Sequence, residues 1–301
     1  YHIPIDSSFL HLADATQSIF DNVREMFRYP LEHVDTPFSV QIMRLKGDDQ
    51  KTRIHFAAAF PDSAVRDPRK AYKIAFSIFD SGHYRIAGNS FLFRPDTLRT
   101  IDRMRHRFYV FDFPVDLLPR SGECSFAVEI SGGAPLHRGV WKGAAEIPDF
   151  GGEMLVCSDA GLMLPGVAGE CASIPDPMPV YSRTGDICLF SETYGLRRDI
   201  EGLCKYRLSY SIKTKPGSDE GLEGLRKVLW WMSRSVRGNA PESPPHMISS
   251  FERRTASTSA SDRLRVNLGS LEPGKHIISI TVLDLVGGES FSSEREFIVT
   301  D

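Results

Sequence analysis

The apolar positions of this chain follow a helical period near its start and a two-residue period over most of its remaining length. From Phe9 to Phe27 the apolar residues recur three or four positions apart, as they do along one face of an amphipathic helix. Pro30 ends this pattern, because proline does not fit the interior of a helix. The sequence therefore predicts a helix near residues 7–28, inside an N-terminal helix or arm of residues 1–35.

After Pro37 the pattern changes to short alternating segments that are typical of β-strands. Residues 38–45 and 52–60 alternate apolar and polar positions on either side of a Gly-Asp-Asp turn, which predicts a β-hairpin. Further strands are expected at 71–79, 84–87, 104–113, 124–130, 136–145, 186–194, 205–213, 246–254, 263–268, 275–285 and 294–299. Many short strands separated by turn residues favour antiparallel sandwiches over an α/β fold.

Residues 148–152 (Pro-Asp-Phe-Gly-Gly) interrupt the strand pattern near the middle of the chain. The length of 301 residues also favours two domains. We therefore expect a mainly β protein with a first antiparallel β-sandwich over 36–148 and a second over 149–301, both immunoglobulin/fibronectin-like. Within the second half, the Pro-rich stretch 174–180 is expected to be an extended loop, because proline suits neither helices nor central strands.

One segment of the second half, about 218–237, returns to a helical period. Its apolar residues form one stripe, and it carries several basic side chains, among them Arg234. Trp230 and Trp231 are adjacent and project about 100° apart on a helix, so both cannot lie on one narrow stripe. This helical insert either covers an edge of the sandwich with one Trp in the core, or docks on a partner or a membrane interface.

A second basic cluster lies at 94–107. On one continuous strand, Arg103, Arg105 and Arg107 would share a face. That face is either solvated or binds an anionic protein or lipid headgroups. The whole chain has 36 Lys and Arg against 39 Asp and Glu, a net charge of −3, which argues against a nucleic-acid partner.

The sequence predicts no catalytic residues, no cofactor and no metal ligands. Residues 269–275 match GxxxxGK, but His276 and an alternating segment follow, so we interpret them as a turn between strands. HExxH, GxSxG and CxxC are absent. The five cysteines are then either buried free thiols or include one disulfide, for which Cys157 and Cys171 form the candidate pair.

Three segments of the second half carry a family resemblance. They are residues 148–159 (PDFGGEMLVCSD), 189–196 (LFSETYGL) and 271–284 (LEPGKHIISITVLD), closed by the strand at 295–299. In these segments the chain resembles bacterial GWxTD-domain proteins, and the resemblance covers residues 38–300. The Gly-Trp-x-Thr-Asp signature itself is absent. The resemblance implies a pair of β-sandwiches, often in exported proteins, and supplies no activity to transfer.

The resemblance also implies a type of role, because extrinsic β-rich subunits of this sort brace large bacterial membrane complexes, including reaction-centre and light-harvesting photosystems. We therefore expect a non-catalytic scaffold or accessory subunit that is periplasmic or membrane-extrinsic, with reaction-centre and antenna polypeptides as partners and peripheral contact with lipid headgroups. The chain starts at Tyr1 rather than Met, which fits a removed leader or a longer protein. The expected contact residues are Phe9, Phe20, Phe27, Arg103, Arg105, Arg107, Trp230, Trp231 and Arg234.

Two other classes of function remain open at this stage. One is a carbohydrate-binding module, which would present coplanar aromatic side chains on a sheet face. The other is a β-sandwich hydrolase of an exported protein, with its site in the loops, since the fold alone does not exclude an enzyme.

Overall fold

The computed structural model describes residues 38–65, 67–103, 105–132, 137–166, 170–215 and 247–301. The helices expected near 7–28 and 218–237 lie outside these residues. Within the described ranges the chain is mainly β, with eighteen strands and two short 3-10 helices, Asp62–Ala64 and Pro95–Thr97. Within these described ranges, no helix has the length and apolar character of a membrane span.

The first eight strands form two four-stranded antiparallel sheets. The strands are β1 (Ser39–Lys46), β2 (Thr52–Pro61), β3 (Tyr72–Phe79), β4 (Arg85–Phe93), β5 (Arg99–Arg103), β6 (His106–Leu117), β7 (Arg120–Gly132) and β8 (His137–Ile147). Sheet A has the order β1-β2-β6-β5 and sheet B the order β4-β3-β7-β8. Phe56 of sheet A packs on Phe76 and Phe126 of sheet B, with ring centroids 5.6 and 5.9 Å apart. We call sheets A and B the first sheet pair.

The remaining ten strands form two further sheets. They are β9 (Val156–Cys157), β10 (Gly161–Pro165), β11 (Cys171–Pro175), β12 (Val180–Ser182), β13 (Asp186–Tyr194), β14 (Cys204–Thr214), β15 (Met247–Thr255), β16 (Ser259–Asn267), β17 (Gly274–Asp284) and β18 (Ser290–Thr300). Sheet C runs β11-β10-β13-β16 with β9 added to β13, and sheet D runs β12-β18-β17-β14-β15. One apolar core contains Leu162 and Leu189 of sheet C together with Leu208 and Phe297 of sheet D. Sheets C and D are the second sheet pair.

Sheet A is apolar on both faces. On β2, Ile54, Phe56, Ala58 and Phe60 belong to the core shared with sheet B. Ala59, on the opposite face, packs instead in a cluster with Leu164 and Met178 of the second sheet pair. The four sheets are therefore layered in the order B, A, C, D, and the two central sheets are covered on both sides.

Several strand predictions are confirmed. The hairpin of β1 and β2 pairs Ser39 with Ala59 through Lys46 with Thr52, and β13 has the predicted bounds 186–194. The strand expected at 104–113 begins only at His106, because Arg105 lies in a turn with a φ of 63°. The Pro-rich stretch 174–180, expected to be an extended loop, lies outside the strands only at 176–179, because β11 and β12 occupy its two ends.

The disulfide pairing expected from the sequence is wrong. The structure joins Cys171 of β11 to Cys188 of β13, while Cys157 is a buried free thiol, as are Cys124 and Cys204. Both bonded residues belong to one sheet, on either side of β10. Cys157 of β9 lies instead beside Thr193, with its Sγ atom 3.7 Å from the Thr193 Oγ1 atom.

Candidate functional site

The free edge of β1 is covered by side chains of the second sheet pair. The Ile42 carbonyl accepts a hydrogen bond from the Arg295 guanidinium at 2.7 Å, and the Lys46 N–H donates to the Tyr194 hydroxyl at 3.0 Å. Between them, the Arg44 N–H donates to the Asp159 carboxylate at 2.8 Å. Positions 42, 44 and 46 alternate along the strand, so these backbone groups point away from β2. Unpaired strand edges promote association with other chains, and this edge is closed within the molecule.

The charged side chains of Arg44 and Arg295 lie at the boundary where the two sheet pairs meet. The Arg44 guanidinium binds the Asp159 carboxylate through Nε and Nη2, the shortest distance being 2.6 Å. Burial lowers the Arg44 pKa, but the hydrogen bond and charge of Asp159 outweigh it, so the pKa is raised. Burial lowers the Arg295 pKa, and the Arg295 guanidinium donates to the Ala160 and Ile42 carbonyls.

A second charged contact crosses the boundary at Arg103. Its Nη2 atom donates to Asp176 Oδ2 at 2.9 Å, and the Asp176 carboxylate is fully buried. Burial raises the Asp176 pKa, with Arg103 opposing the shift. The Arg103 guanidinium also lies over the Tyr181 ring, 5.5 Å from its centroid. The two interpretations of the basic cluster, a solvated face or a docking face, therefore do not describe Arg103, which is engaged inside the molecule.

Apolar side chains fill the space between these charged contacts. Met43 and Leu45 of β1 pack with Met163, Cys188 and Phe190 of sheet C. The Cys171–Cys188 disulfide borders this cluster. The Met43 side chain also lies against Gly161, where an added Cβ atom would come within 2.4 Å of the Met43 Sδ atom. The two sheet pairs therefore pack closely at this glycine.

A cavity of about 430 Å³ opens beside the Arg103 contact. Its walls combine both sheet pairs and include Arg103, Arg105, Tyr181, Asp186, Cys188 and Asp301. Asp186 is held by Arg265 and Asn267, at 2.6 and 2.7 Å, and these two hydrogen bonds lower its pKa. The charged groups of Arg103 and Asp186, which line the cavity, are thus already bound to other side chains of this chain.

The remaining predicted contact residues divide into two groups. Arg105 is exposed in the turn before β6, and Arg107 is exposed at the start of β6, 3.8 Å from Asp102. The three arginines do not form one strand face, because the turn at Arg105 separates β5 from β6. Outside the described residues lie Phe9, Phe20, Phe27, Trp230, Trp231 and Arg234.

The carboxylates of the family-like strands have structural contacts. Asp159 binds Arg44, and Glu192 accepts a hydrogen bond from the Tyr194 hydroxyl. Burial, followed by this bond to Glu192, raises the Tyr194 pKa. Among the described residues no group of three His, Cys, Asp or Glu side chains is placed to hold a metal ion. The arrangement as described is suited to fixing two sheet pairs against each other.

Sequence reasoning missed Asp176 and Arg295, which lie at the centre of the boundary. Neither has a local signal: Asp176 stands between two prolines, and Arg295 stands between Glu294 and Glu296 on an alternating strand, as charged residues on solvated strands commonly do. A signal for the boundary itself was available. Runs such as Ala57-Ala58-Ala59 and Leu162-Met163-Leu164 are continuously apolar, which is typical of strands buried on both faces.

No family model matches the chain, and no curated protein matches it. Among solved structures, a DUF4785 family protein from Legionella pneumophila subsp. pneumophila str. Philadelphia 1 is similar at 7% identity and a TM-score of 0.23, over 82% of this chain and 57% of that chain. Escherichia coli alpha-2-macroglobulin activated by porcine elastase is similar at 8% identity and a TM-score of 0.24, over 88% and 23%. The chain spans less than two thirds of either protein, and TM-scores this low carry no argument about function.

Proposed function

We propose that this chain is a non-catalytic scaffold or accessory subunit that docks on a larger, membrane-associated complex and stabilises it. In this proposal each sheet pair is an immunoglobulin/fibronectin-like β-sandwich. The observation that carries the proposal is the closed boundary, where the β1 edge, two charged contacts and an apolar cluster join the sheet pairs. A subunit that braces other proteins needs a fixed distance between its contact surfaces, and this boundary provides one.

The disulfide supports a location outside the cytoplasm. Bonds such as Cys171–Cys188 persist in oxidising compartments, including the bacterial periplasm. We therefore propose a periplasmic or membrane-extrinsic subunit. The specific assembly we propose is a bacterial reaction-centre–antenna complex, in keeping with the resemblance to GWxTD-domain proteins.

The docking contacts in this proposal come from apolar anchors with basic side chains at their rim. Arg105 and Arg107 are the predicted basic residues that the structure leaves exposed. The apolar anchors are those predicted in the two helical segments, Phe9, Phe20 and Phe27 in one and Trp230 and Trp231 in the other. Aromatic and Arg side chains are the residue types enriched at the centres of protein interfaces.

Native purification of the full chain from its own membranes tests the proposal. We expect the chain to co-purify with reaction-centre and antenna polypeptides. Replacing both Trp230 and Trp231 by Ala, or removing residues 1–30, should lower the co-purified fraction. Arg53→Ala is the matched control, because Arg53 binds Asp116 within sheet A. A chain that purifies alone, as a monomer without membrane, would refute the proposal.

A further inference from the structure

Three loops at one end of the second sheet pair carry apolar side chains that face solvent. Ile200 is fully exposed, Met154 is 77% exposed, and Leu285 and Val286 are 39% and 37% exposed. They belong to the loop between β8 and β9, the loop after β13, and the turn between β17 and β18. We call these three loops, 149–155, 195–203 and 284–289, the apolar tip.

Backbone contacts hold the loops of the apolar tip together. Asp284, itself fully buried, accepts hydrogen bonds from the N–H groups of Arg197 and Val286, both at 2.9 Å, and so joins two of the loops. The Leu285 N–H donates to the Lys205 carbonyl at 2.8 Å. The exposed apolar side chains are therefore presented on fixed backbone, which lowers the entropy lost when they bind.

The third loop, 149–155, is fixed by the close approach of the Gly195 and Met154 backbones. Gly195 has a φ of 76°, and a Cβ atom added there would lie 2.2 Å from the Met154 carbonyl oxygen. The Tyr194–Val156 strand pair lies next to this contact. Met154 is thus held at the same end of the second sheet pair as Ile200.

The charges around the tip identify the chemistry of a partner. Outside the buried Asp284, the three loops and the adjoining Lys205 carry five acidic side chains (Asp149, Glu153, Asp199, Glu201, Glu289) and three basic ones (Arg197, Arg198, Lys205). This excess of acid opposes an anionic bilayer surface. The exposed apolar residues of the tip also include no Trp or Tyr, the types enriched at membrane interfaces.

We propose that the apolar tip docks on a protein surface that has an apolar groove edged by Lys or Arg. This inference rests on the proposed function, and it assigns one contact surface of the accessory subunit. The aliphatic side chains of Ile200 and Val286 enter the groove, and the acidic rim faces its basic edge. Complementary charge of this kind selects the partner and its orientation.

The test uses the full chain produced in its own host and purified natively with its assembly. Ile200→Ser combined with Val286→Ser removes the anchors, while Leu118→Ser changes a similarly exposed residue (61%) of the first sheet pair as the control. We expect the double variant to lower the co-purified fraction about tenfold or more, as loss of interface anchors does. The control should co-purify like the unchanged chain.

Three further readouts decide the partner. A photocrosslinking residue placed at position 200 should join a peptide that carries apolar residues flanked by Lys or Arg, and Glu153→Gln with Glu201→Gln should weaken retention several-fold. If the double variant co-purifies as well as the unchanged chain, the docking role of the apolar tip is refuted, while the proposed function stands. Failure of the unchanged chain to co-purify overturns both. Binding to phosphatidylcholine vesicles that the double variant loses would make lipid the occupant and overturn a protein partner.

Discussion

Arg44 and Asp159 hydrogen-bond to each other through both backbone and side chains. The Arg44 N–H donates to the Asp159 carboxylate, the Asp159 N–H donates to the Arg44 carbonyl at 3.2 Å, and the two charged groups meet at 2.6 Å. Asp159, from the second sheet pair, therefore pairs with the free edge of β1 at Arg44 much as a residue of a neighbouring strand would. Both side chains are mostly buried, so water does little to screen the interaction.

Asp159→Asn should lower the free energy of unfolding by about 2–3 kcal/mol, because it leaves the partly buried Arg44 charge unpaired. Urea denaturation followed by tryptophan fluorescence measures the change. Asp116→Asn is the matched control, since Asp116 also binds an arginine but at the surface of sheet A, where such a pair contributes less than about 1 kcal/mol. Equal effects of the two substitutions would contradict the special position of Arg44–Asp159.

Gly161→Ala should destabilise the chain by about 1–3 kcal/mol, because the new methyl group would meet the buried Met43 side chain. Met43→Ala alone opens a cavity and is also destabilising. In the combined variant the added methyl group enters the space that Met43 leaves. The loss of stability of the double variant should therefore be smaller than the sum of the losses of the two single variants. A double-mutant cycle of unfolding free energies measures this coupling. Strict additivity would show that the two residues do not touch.

Peptide mapping without reduction should find Cys171 linked to Cys188. Replacing both cysteines by Ser should lower the free energy of unfolding by about 3 kcal/mol, as expected for opening a loop of 17 residues. The denaturation midpoint of the unchanged chain should fall in dithiothreitol, and that of the double variant should not. A linked Cys157–Cys171 peptide would instead restore the pairing expected from the sequence.

The Cys157 thiol should resist alkylation in the folded chain. Burial raises its pKa to about 11, so at pH 8 only about one molecule in a thousand carries the reactive thiolate. We expect iodoacetamide to modify Cys157 in urea and to leave it unmodified in buffer, as read by mass spectrometry. Rapid labelling of Cys157 in the native chain would show that β9 opens readily.

The stability of the chain should depend on the titration of Asp176. Burial raises its pKa in the folded state, so the folded chain holds this proton more tightly than the unfolded chain does. The corresponding stability is fully present below the ordinary carboxyl pKa and is lost as the pH rises through the raised one. Urea midpoints measured from pH 3 upward should therefore fall more steeply for the unchanged chain than for Asp176→Asn. Parallel profiles would contradict a buried, titrating Asp176.

Local sequence patterns predicted most strands but not their assembly. β13 has the predicted bounds because its turns and apolar run are all local. β5 was missed because it is a five-residue edge strand with one buried side chain, Ile101. β10 and β11 were missed since Pro165 and Pro175 stand at their ends, and proline usually marks a loop.

The boundary contacts could not be predicted from local patterns. Arg103 and Asp176 are 73 positions apart, and nothing near either residue indicates the other. The periodicity that placed Arg103, Arg105 and Arg107 on one face assumed a continuous strand, whereas a turn intervenes. Pairing between distant charged residues depends on how the sheets stack, which alternating patterns within single strands do not specify.

The hydrogen bond from Arg295 to the Ile42 carbonyl can form only late in the synthesis of the chain. The two residues are 253 positions apart, so at 5–20 residues per second the ribosome makes Ile42 roughly 10–50 s before Arg295. During that time the Ile42 carbonyl lacks its Arg295 partner, so this part of the β1 edge is open and can recruit another nascent chain. Newly made protein is then most in need of a chaperone that recognises unfinished sheet edges, and translation that pauses before β18 would lengthen the period of risk.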